Sequence, residues 1–352
     1  LSAAEEIKTK PTQHSVGMLR QAGIQPDIII CRMEKHLSAE IREKLSLFCN
    51  VDKNAIIEER DVKPYLYEIP LILVEQGLDK LIIQKLGLKT NGNDISKWLS
   101  LLEILKNPEQ TTEIAVVGKY ICHQSAYESI YESLIHGGIG NNARVKMRRV
   151  ESEDIEKNGA KASLAGVRGI LVPGGFGMRG VEGKIEVIQY ARENKIPFFG
   201  ICLGLQCAAI EFARNVCNLK GANSTEFDVN TPHPVISLLE EQHKVSGKGG
   251  TMRLGAQPCI LQTETKAFKS YGRQNISERH RHRYEFNNVY KEIFLASGMV
   301  FSGHSPNGQL VEIMELKNHP WFVCVQFHPE FKSKPTNPHP LFKEFIRASL
   351  SF

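Results

Sequence analysis

A cysteine lies between two glycines in the stretch GICLGLQ, Gly200 to Gln206, directly after the apolar run IPFF. A thiol attacks a carbonyl carbon only as its thiolate, and the dipole at the start of a helix stabilises that anion. The pattern predicts a strand, a sharp turn at Cys202 and then a helix, an arrangement typical of exposed nucleophiles. Gly200 and Gly204 are small enough for such a turn. They would also suit the tight packing of a buried cysteine, so this stretch alone leaves both interpretations open.

A second stretch, QFHPEF, contains the base that a thiol nucleophile needs. His328 and Glu330 are two residues apart, so on an extended strand their side chains would point to the same face. Glu330 could then fix the tautomer of His328, while Pro329 would stiffen the end of the strand. Taken alone, however, a His-Pro-Glu stretch is usually an ordinary surface turn.

The tetrahedral intermediate of acyl transfer carries an oxyanion, which backbone N–H groups stabilise. The loop PGGFG, Pro173 to Gly177, follows an apolar strand pattern, and the N–H of Gly175 could be one donor. The N–H of Leu203, directly after the cysteine, would be the second donor. The loop is weak evidence by itself, because many α/β proteins have glycine there.

The surrounding segments alternate between strand and helix patterns, which predicts an α/β fold with a largely parallel sheet. Near the N-terminus, PDIIICR (26–32) and AIIEE (55–59) predict strands, and Ser38 is a good N-cap for the helix between them. A polar stretch from Lys89 to Thr112 contains one amphipathic helix and ends in the loop NPEQTTE. The predicted organisation is a first domain of residues 1–88, a linker of residues 89–112 and a second domain of residues 113–352.

Later patterns predict the elements of the second domain. EIAVVGKY and VKMRRVES predict strands, and SAYESIYESLIHGG predicts a helix that ends at Gly137 and Gly138. LVEIMEL and WFVCVQF predict neighbouring strands, and HPLFKEFIRASL predicts the last helix. Both glycine loops would then lie at the carboxyl ends of strands, where the active sites of such sheets gather.

The composition is that of a globular protein. Of 352 residues, 41% are hydrophobic and 24% are charged, and the net charge is +5, which favours neither nucleic acid nor phosphorylated small molecules. The longest near-apolar run, Ile196 to Ala213, contains proline, glycine and glutamate, so it predicts a buried strand and helix. None of the eight cysteines lies in a CxxC pair, which favours reduced thiols over disulfides or a zinc site.

Taken together and in this order, strand-PGGFG, strand-GICLGLQ and strand-QFHPE closely resemble the class I glutamine amidotransferases. The resemblance covers about residues 113–352 and implies a flavodoxin-like domain that hydrolyses glutamine to glutamate and ammonia. It implies that Cys202 is the nucleophile, His328 the general base and acid, and Glu330 the orienting carboxylate. It also implies that Gly175 and Leu203 form the oxyanion hole.

The stretch KTKPTQ, Lys8 to Gln13, places two cations and three side-chain donors in one expected loop. That chemistry suits a nucleoside triphosphate, although a solvated basic loop is the commoner outcome. With GIQPDIIICR, FCNV, RHRHRYE and GGTMRLG, it resembles the CTP synthase family. In that family a P-loop-like α/β amidoligase domain uses ATP and Mg²⁺ to phosphorylate UTP, which then reacts with ammonia from the glutaminase. The resemblance implies UTP or CTP contacts at Lys8, Thr9, Lys10, Pro11, Thr12, Gln13 and Lys44, and ATP contacts at Arg60, Asp61 and Val62, where the family often has lysine at the first of these three positions.

For glutamine itself, the resemblance implies contacts from Gly175, Leu203, Gln206, Glu226 and Arg283. An amino acid needs a carboxylate for its ammonium group and an arginine for its carboxylate, which suits the last two. The run ERHRHRYE (278–285) could instead be a nucleic-acid patch, but its flanking glutamates disfavour that interpretation. GMRGVEG (177–183) and GTMRLG (250–255) resemble the region where GTP activates the glutaminase.

The sequence contains no GxxxxGK[ST] motif, and VSGKGGT (245–251) fails it because Gly249 follows the lysine. We identify no magnesium ligands. We therefore expect only the C-terminal part of the amidoligase domain, so that this chain alone is a glutaminase and cannot make CTP. The expected partners are glutamine, UTP, ATP, CTP, GTP and further copies in a cytoplasmic homotetramer, with neither nucleic acid nor membrane. Two alternatives are the glutaminase of another synthase, such as one making GMP or anthranilate, and a truncated non-catalytic assembly or regulatory subunit.

Overall fold

The computed structural model describes residues 8–62, 65–92, 94–121, 124–238 and 252–352. The chain divides into two compact units, one up to Leu102 and one from Glu103 onward.

In the first unit, the described residues form two parallel strands with helices around them. Its elements are α1 (Lys10–Gln21), β1 (Ile29–Met33), α2 (Ala39–Cys49), β2 (Ile56–Arg60), α3 (Ile69–Glu75), α4 (Leu78–Leu86) and α5 (Ser96–Lys106), the last of which continues past the division. Ser38 caps α2 as predicted, because its hydroxyl accepts a hydrogen bond from the N–H of Ile41 at 3.3 Å. Buried Val16, Leu45 and Ile56 bring α1, α2 and β2 into one core.

In the second unit, the described residues form a nine-stranded sheet and a smaller three-stranded sheet. The elements in chain order are β3 (Gln110–Gly118), α6 (Glu128–Ile139), β4 (Ala143–Glu151), α7 (Ser152–Asn158), α8 (Ala160–Ser163), β5 (Gly169–Val172), α9 (Val181–Glu193), β6 (Phe198–Ile201), α10 (Leu203–Asn215), β7 (Ala222–Ser224), β8 (His233–Ser237), β9 (Arg253–Leu261), α11 (Lys266–Tyr271), β10 (Asn275–His282), β11 (Glu285–Phe286), α12 (Lys291–Ala296), β12 (Met299–His304), β13 (Val311–Leu316), β14 (Phe322–Val325) and α13 (Pro340–Ser351).

The large sheet has the strand order β10-β9-β12-β13-β14-β6-β5-β3-β4. From β14 to β4 neighbouring strands are parallel, and from β10 to β14 they are antiparallel. The expected α/β fold with a parallel central sheet is confirmed, and the antiparallel extension adds to it. The parallel strands are apolar on both faces because helices cover both: Ile170 packs into one cluster and its neighbour Leu171 into the other.

Three local predictions were wrong. KTKPTQ is not a loop, because α1 begins at Lys10 with Pro11 in its first turn. NPEQTTE is not wholly a loop, because β3 begins at Gln110. Gly137 and Gly138 do not end their helix but lie inside α6. Gly138 leaves no room for a side chain, because a Cβ there would lie 2.6 Å from the carbonyl oxygen of Ala143.

Candidate active site

Cys202 lies at the turn between β6 and α10, as the sequence predicts. Its backbone has φ 53° and ψ −101°, a conformation that L-residues rarely adopt and that costs about 1–3 kcal/mol. Its N–H donates a hydrogen bond to the carbonyl of Val325 at 2.7 Å, which ties the turn to the end of β14. Leu203 is the first residue of α10, so its N–H has no acceptor within the helix.

The two glycines beside Cys202 are required by close packing. A Cβ at Gly204 would lie 2.2 Å from the carbonyl oxygen of Val172 on β5, and one at Gly200 would lie 2.9 Å from the carbonyl oxygen of Gly204. Tight packing of the two glycines and a sharp turn at Cys202 therefore occur together. The helix can start against the sheet only because these residues are small, and this close approach holds the cysteine in its strained conformation.

His328 and Glu330 are in direct contact. Nδ1 of His328 lies 2.7 Å from Oε1 of Glu330, and the carboxylate can only accept, so Nδ1 carries the proton. The expected extended strand is wrong: β14 ends at Val325, and Pro329–Lys332 form a 3₁₀ turn. The N–H of His328 donates to the carbonyl of Arg279 at 2.7 Å, which fixes the residue where the turn begins.

Burial by itself would lower the pKa of His328, but interaction with Cys202 and Glu330 more than offsets burial and raises it to about 10. An imidazolium beside the sulfur favours the thiolate. Nε2 of His328 is buried and meets no partner among the described residues with strict hydrogen-bond geometry, so its contact with the thiol is looser than an ordinary hydrogen bond. Such catalytic contacts often tighten only when substrate binds.

The PGGFG loop lies against both groups. A Cβ at Gly174 would lie 2.8 Å from Cε1 of His328 and 3.5 Å from Cβ of Cys202. A Cβ at Gly175 would lie 3.3 Å from Cδ2 of Leu203, so the two residues predicted to form the oxyanion hole are neighbours.

A cavity of about 360 Å³ opens beside Cys202. It brings together four of the five predicted glutamine contacts, Gly175, Gln206, Glu226 and Arg283. The fifth, Leu203, does not line it but contacts Gly175. Nε of Arg283 is buried without a partner among the described residues, and Glu226 accepts a hydrogen bond from the N–H of Gly177 at 3.1 Å. The cavity therefore contains a cation that can bind the carboxylate of an amino acid and a carboxylate that can bind its ammonium group.

The first five residues of the run ERHRHRYE separate into two faces, because they lie on β10 and alternate between buried and exposed. Arg279 and Arg281 are exposed, whereas His280 and His282 are buried. The two histidines bond to each other at 2.8 Å. Burial, with the charge of Arg253 next, lowers their pKa values to about 2 and 3. Both imidazoles are therefore neutral and belong to the interior of the sheet.

Sequence reasoning missed Gln326, Tyr284 and His282. Gln326 is fully buried, and its Nε2 donates to Sγ of Cys202 at 3.7 Å. Tyr284 and His282 line the cavity. All three lie inside or beside motifs that the sequence shows, but their places at the site depend on where β10 and β14 end.

The nucleotide candidates of the first unit are mostly exposed. The side chains of Lys8, Lys10 and Lys44 are exposed, while Thr9 is buried and its hydroxyl accepts from Gln13 at 3.0 Å. Pro11 is exposed, and Thr12 and Gln13 are half-buried.

Arg60 ends β2, at the carboxyl end of the parallel pair, and Val62 lies just beyond it. The side chain of Arg60 contacts Glu58 at 3.0 Å, and Asp61 accepts from Arg32 at 2.9 Å.

Of the two stretches that resemble the GTP region, the first lies wholly within the described residues. In the first, Met178 is exposed, and Arg179 pairs with Glu153 at 3.1 Å and stacks over the ring of Tyr120 at 4.1 Å. In the second, Gly250 and Thr251 lie outside the described residues, as does VSGKGGT.

Within the described ranges, no group of three or more His, Cys, Asp or Glu side chains is arranged to hold a metal ion. Over the same residues, no helix has the length and apolar character needed to span a bilayer.

Comparisons with known proteins identify the family of the second unit. Residues 124–348 match the family model described as glutamine amidotransferase class-I. A solved structure described as the glutaminase domain of Trypanosoma brucei CTPS with bound acivicin is 37% identical, with a TM-score of 0.64, over 68% of this chain and 94% of that one. The second unit thus has the fold of the class I glutamine amidotransferases and belongs to that family.

The comparisons also indicate which family of amidotransferases the chain belongs to. Residues 1–88 match the model described as CTP synthase N-terminus. The CTP synthases of Carboxydothermus hydrogenoformans and Caldanaerobacter subterraneus are 57% and 56% identical over 99% and 98% of this chain. The chain belongs to the CTP synthase family. It spans about 65% and 64% of the length of these two relatives.

Proposed function

We propose that the second unit hydrolyses glutamine to glutamate and ammonia, with Cys202 as the nucleophile. One observation carries the proposal: a cysteine on a strained turn lies beside the His328–Glu330 pair, in a cavity that also contains Arg283 and Glu226. Histidine and carboxylate together give a thiol the base and the orienter that covalent catalysis needs.

In the proposed complex, Arg283 binds the carboxylate of glutamine and Glu226 binds its ammonium group, with Gln206 beside them. The thiolate adds to the amide carbon, and the N–H groups of Gly175 and Leu203 stabilise the oxyanion.

Proton transfer by His328 completes the cycle. The imidazolium gives its proton to the leaving nitrogen, which departs as ammonia and leaves a thioester on Cys202. Neutral His328 then takes a proton from water, which attacks the thioester and releases glutamate. Glu330 holds the imidazole in one tautomer throughout.

For the whole protein, we propose the reaction of its relatives, in which ATP and ammonia convert UTP into CTP. The match of residues 1–88 to the CTP synthase N-terminus supports this acceptor over those of other amidotransferases. We propose that residues 1–88 belong to the amidoligase domain, residues 89–112 to a linker and residues 113–352 to the glutaminase domain. Activation by GTP, assembly into a tetramer and a cytoplasmic location belong to the same proposal.

The nucleotide contacts are part of this proposal. Lys8–Gln13 and Lys44 would bind UTP, or CTP as inhibitor, and Arg60–Val62 would bind ATP. The position of Arg60 at the carboxyl end of β2 supports the second assignment, because ligands of α/β sheets bind at that edge.

The test is release of ammonia from glutamine, measured with and without GTP. Asparagine, which is one methylene shorter, is the control substrate. We expect release from glutamine alone, stimulation by GTP, and inhibition by acivicin, the compound bound in the similar T. brucei domain. A folded sample that releases no ammonia from glutamine under either condition would refute the glutaminase proposal. Equal rates of ammonia release with and without GTP would refute the proposed activation by GTP.

A further inference from the structure

Gln326 lies one residue beyond β14 and is fully buried. Its backbone N–H donates to the carbonyl of Glu312 on β13 at 2.9 Å, so its main chain is held by the sheet. Among the described residues, its amide is the side-chain donor that meets hydrogen-bond geometry with Sγ of Cys202, at 3.7 Å. The thiol itself is 3% exposed, so water has little access to it.

The orientation of this amide follows from an accounting of donors and acceptors. Gln206 lies 3.3 Å from the carbonyl of Tyr284, and a carbonyl can only accept, so Gln206 presents its Nε2 there. The same Nε2 lies 3.4 Å from the side chain of Gln326, which must therefore present its oxygen. The nitrogen of Gln326 is thereby left facing the sulfur.

The carbonyl of Tyr284 is held by the buried histidines of β10. Nδ1 of His282 lies 3.1 Å from it and must donate, so in a neutral imidazole Nε2 of His282 accepts. Nδ1 of His280 lies 2.8 Å from that acceptor and is therefore the donor. In this series of hydrogen bonds, the direction of each bond is determined by the one before it. Together they determine the orientation of the Gln326 amide.

We propose that Gln326 is a catalytic residue: its side-chain N–H donates to the thiolate of Cys202, and Gln206 and the Tyr284 carbonyl orient it. This inference rests on the proposed function, because it needs Cys202 to act as an anion. A buried anion requires donors, and a hydrogen bond to a charged group is stronger than one between neutral groups. His328 transfers the proton, whereas the amide of Gln326 is neither an acid nor a base at neutral pH. The amide therefore stabilises the thiolate in every step in which the thiolate forms or is regenerated.

The effect on rate is smaller than the effect on ionisation. A lost hydrogen bond to a charged group corresponds to about a tenfold to hundredfold loss of thiolate. A less stabilised thiolate is also more nucleophilic, which returns roughly half of that loss on a logarithmic scale. We therefore expect the alkylation midpoint of Cys202 to rise by about one to two pH units, and kcat near pH 7 to fall about threefold to tenfold.

The experiment follows alkylation of Cys202 by iodoacetamide against pH, quantified on its own peptide so that other thiols do not interfere. Gln326→Met removes the donor at nearly constant size, and Gln326→Glu replaces it with a carboxylate of the same shape. Gln262→Met, the same change at an exposed position, is the matched control. We expect the midpoint to rise for Gln326→Met and further for Gln326→Glu, with the control at the wild-type value. We also expect the kcat deficit to shrink at alkaline pH.

Wild-type midpoints and kcat values in a folded Gln326 variant would overturn the inference. If neither variant folds, ¹⁵N-glutamine labelling of the wild-type protein decides: alkylation of Cys202 must shift a buried side-chain amide pair, and no shift would overturn it. Thiol alkylation needs no glutamine, so the two proposals fail separately. Glutaminase activity that survives Cys202→Ser refutes the proposed function, whereas a wild-type midpoint in the Gln326 variants refutes this inference alone.

Discussion

Cys202 is 3% exposed, Glu330 is 8% exposed, and His328 contacts Glu330 at 2.7 Å, whereas Lys8, Lys10 and Lys44 in the first unit are all exposed. The first group is held by backbone hydrogen bonds and by close contacts with glycine. In the second group, Lys10 and Lys44 lie on α1 and α2, Lys8 precedes α1, and all three cations are exposed to water. The comparison indicates that packing preorganises the candidate glutaminase site, whereas any contact of the nucleotide candidates with a ligand would depend on their charge.

The sharpest way to test the preorganised side of this comparison is Gly174→Ala. Its methyl group would lie 2.8 Å from Cε1 of His328, so the imidazole must move away from the thiol. We expect kcat for glutamine hydrolysis to fall on the order of a hundredfold or more, because displacement of a catalytic group by about 1 Å costs that much.

Gly17→Ala is the control from the first unit. Among the described residues, no atom other than its chain neighbours and the adjacent backbone of α1 lies within 4 Å of the added methyl. The site is a helix interior, so we expect unchanged activity and a gain of about 1 kcal/mol in the free energy of unfolding. Equal activity in both variants would contradict the claim that packing positions His328.

Glu330→Gln tests the electrostatic part of the site, with an expected loss of about tenfold to hundredfold in kcat/KM. The pKa of His328 is raised above its ordinary value of 6.5 to about 10, so the residue holds its proton throughout neutral pH. Its contribution to folding stability is accordingly complete below pH 6.5 and is lost as the pH rises through about 10. We expect the alkaline limb of kcat/KM near pH 10 in the wild type and at lower pH in the variant.

A wild-type alkaline limb near pH 6.5, or the same limb in both proteins, would contradict that assignment. Glu330→Asp is the companion variant, because it keeps the charge but shortens the side chain. The alkaline limb of kcat/KM in Glu330→Asp should lie closer in pH to the wild-type limb than the limb of Glu330→Gln does.

Arg283→Lys should act on binding, with Arg281→Lys as a neighbour on the exposed face of β10. Lysine keeps the charge of Arg283 but loses its bidentate geometry, so we expect KM for glutamine to rise about tenfold or more with kcat within a few fold. Arg281→Lys should change neither. A loss of kcat at constant KM in Arg283→Lys would place this residue in the chemistry rather than in substrate binding.

The smallest effect on the glutaminase is expected from the first unit. In a Lys8→Ala/Lys10→Ala double variant, both lost cations are exposed, so stability should change by less than about 0.5 kcal/mol per site and ammonia release without nucleotide by less than about twofold. UTP affinity, measured by calorimetry on the full-length protein, should fall about tenfold, since charged hydrogen bonds to phosphate are lost. Unchanged UTP affinity would remove these lysines from the nucleotide site.

The sequence indicates which residues gather at the candidate site because its motifs are local. Each motif ends one strand of a parallel sheet, and that topology brings Cys202, His328 and Gly175 to one edge. The conformation of His328 was not predictable, because a 3₁₀ turn and an extended strand both place residues i and i+2 within reach of each other.

Long-range packing accounts for what the sequence missed. Gly138 has the signature of a helix end, but the carbonyl of Ala143 makes it a close-contact residue inside α6. Gln326 was visible as the first letter of QFHPEF, yet its approach to Cys202 depends on the register of β13 and β14. The position of Thr9 and Lys10 at the start of a helix, rather than in a loop, was equally hidden, since Pro11 is compatible with both.

The most direct test of the account compares Cys202→Ser with Cys207→Ser for ammonia release from glutamine. Both cysteines are buried in the same segment, but burial raises the pKa of Cys207 to about 12, which leaves it an inert thiol. We predict that Cys202→Ser loses at least about a thousandfold in kcat while remaining folded, and that Cys207→Ser retains most of its activity. Ammonia release that survives Cys202→Ser would contradict the assignment of Cys202 as the nucleophile, and with it the role given to every residue around the sulfur.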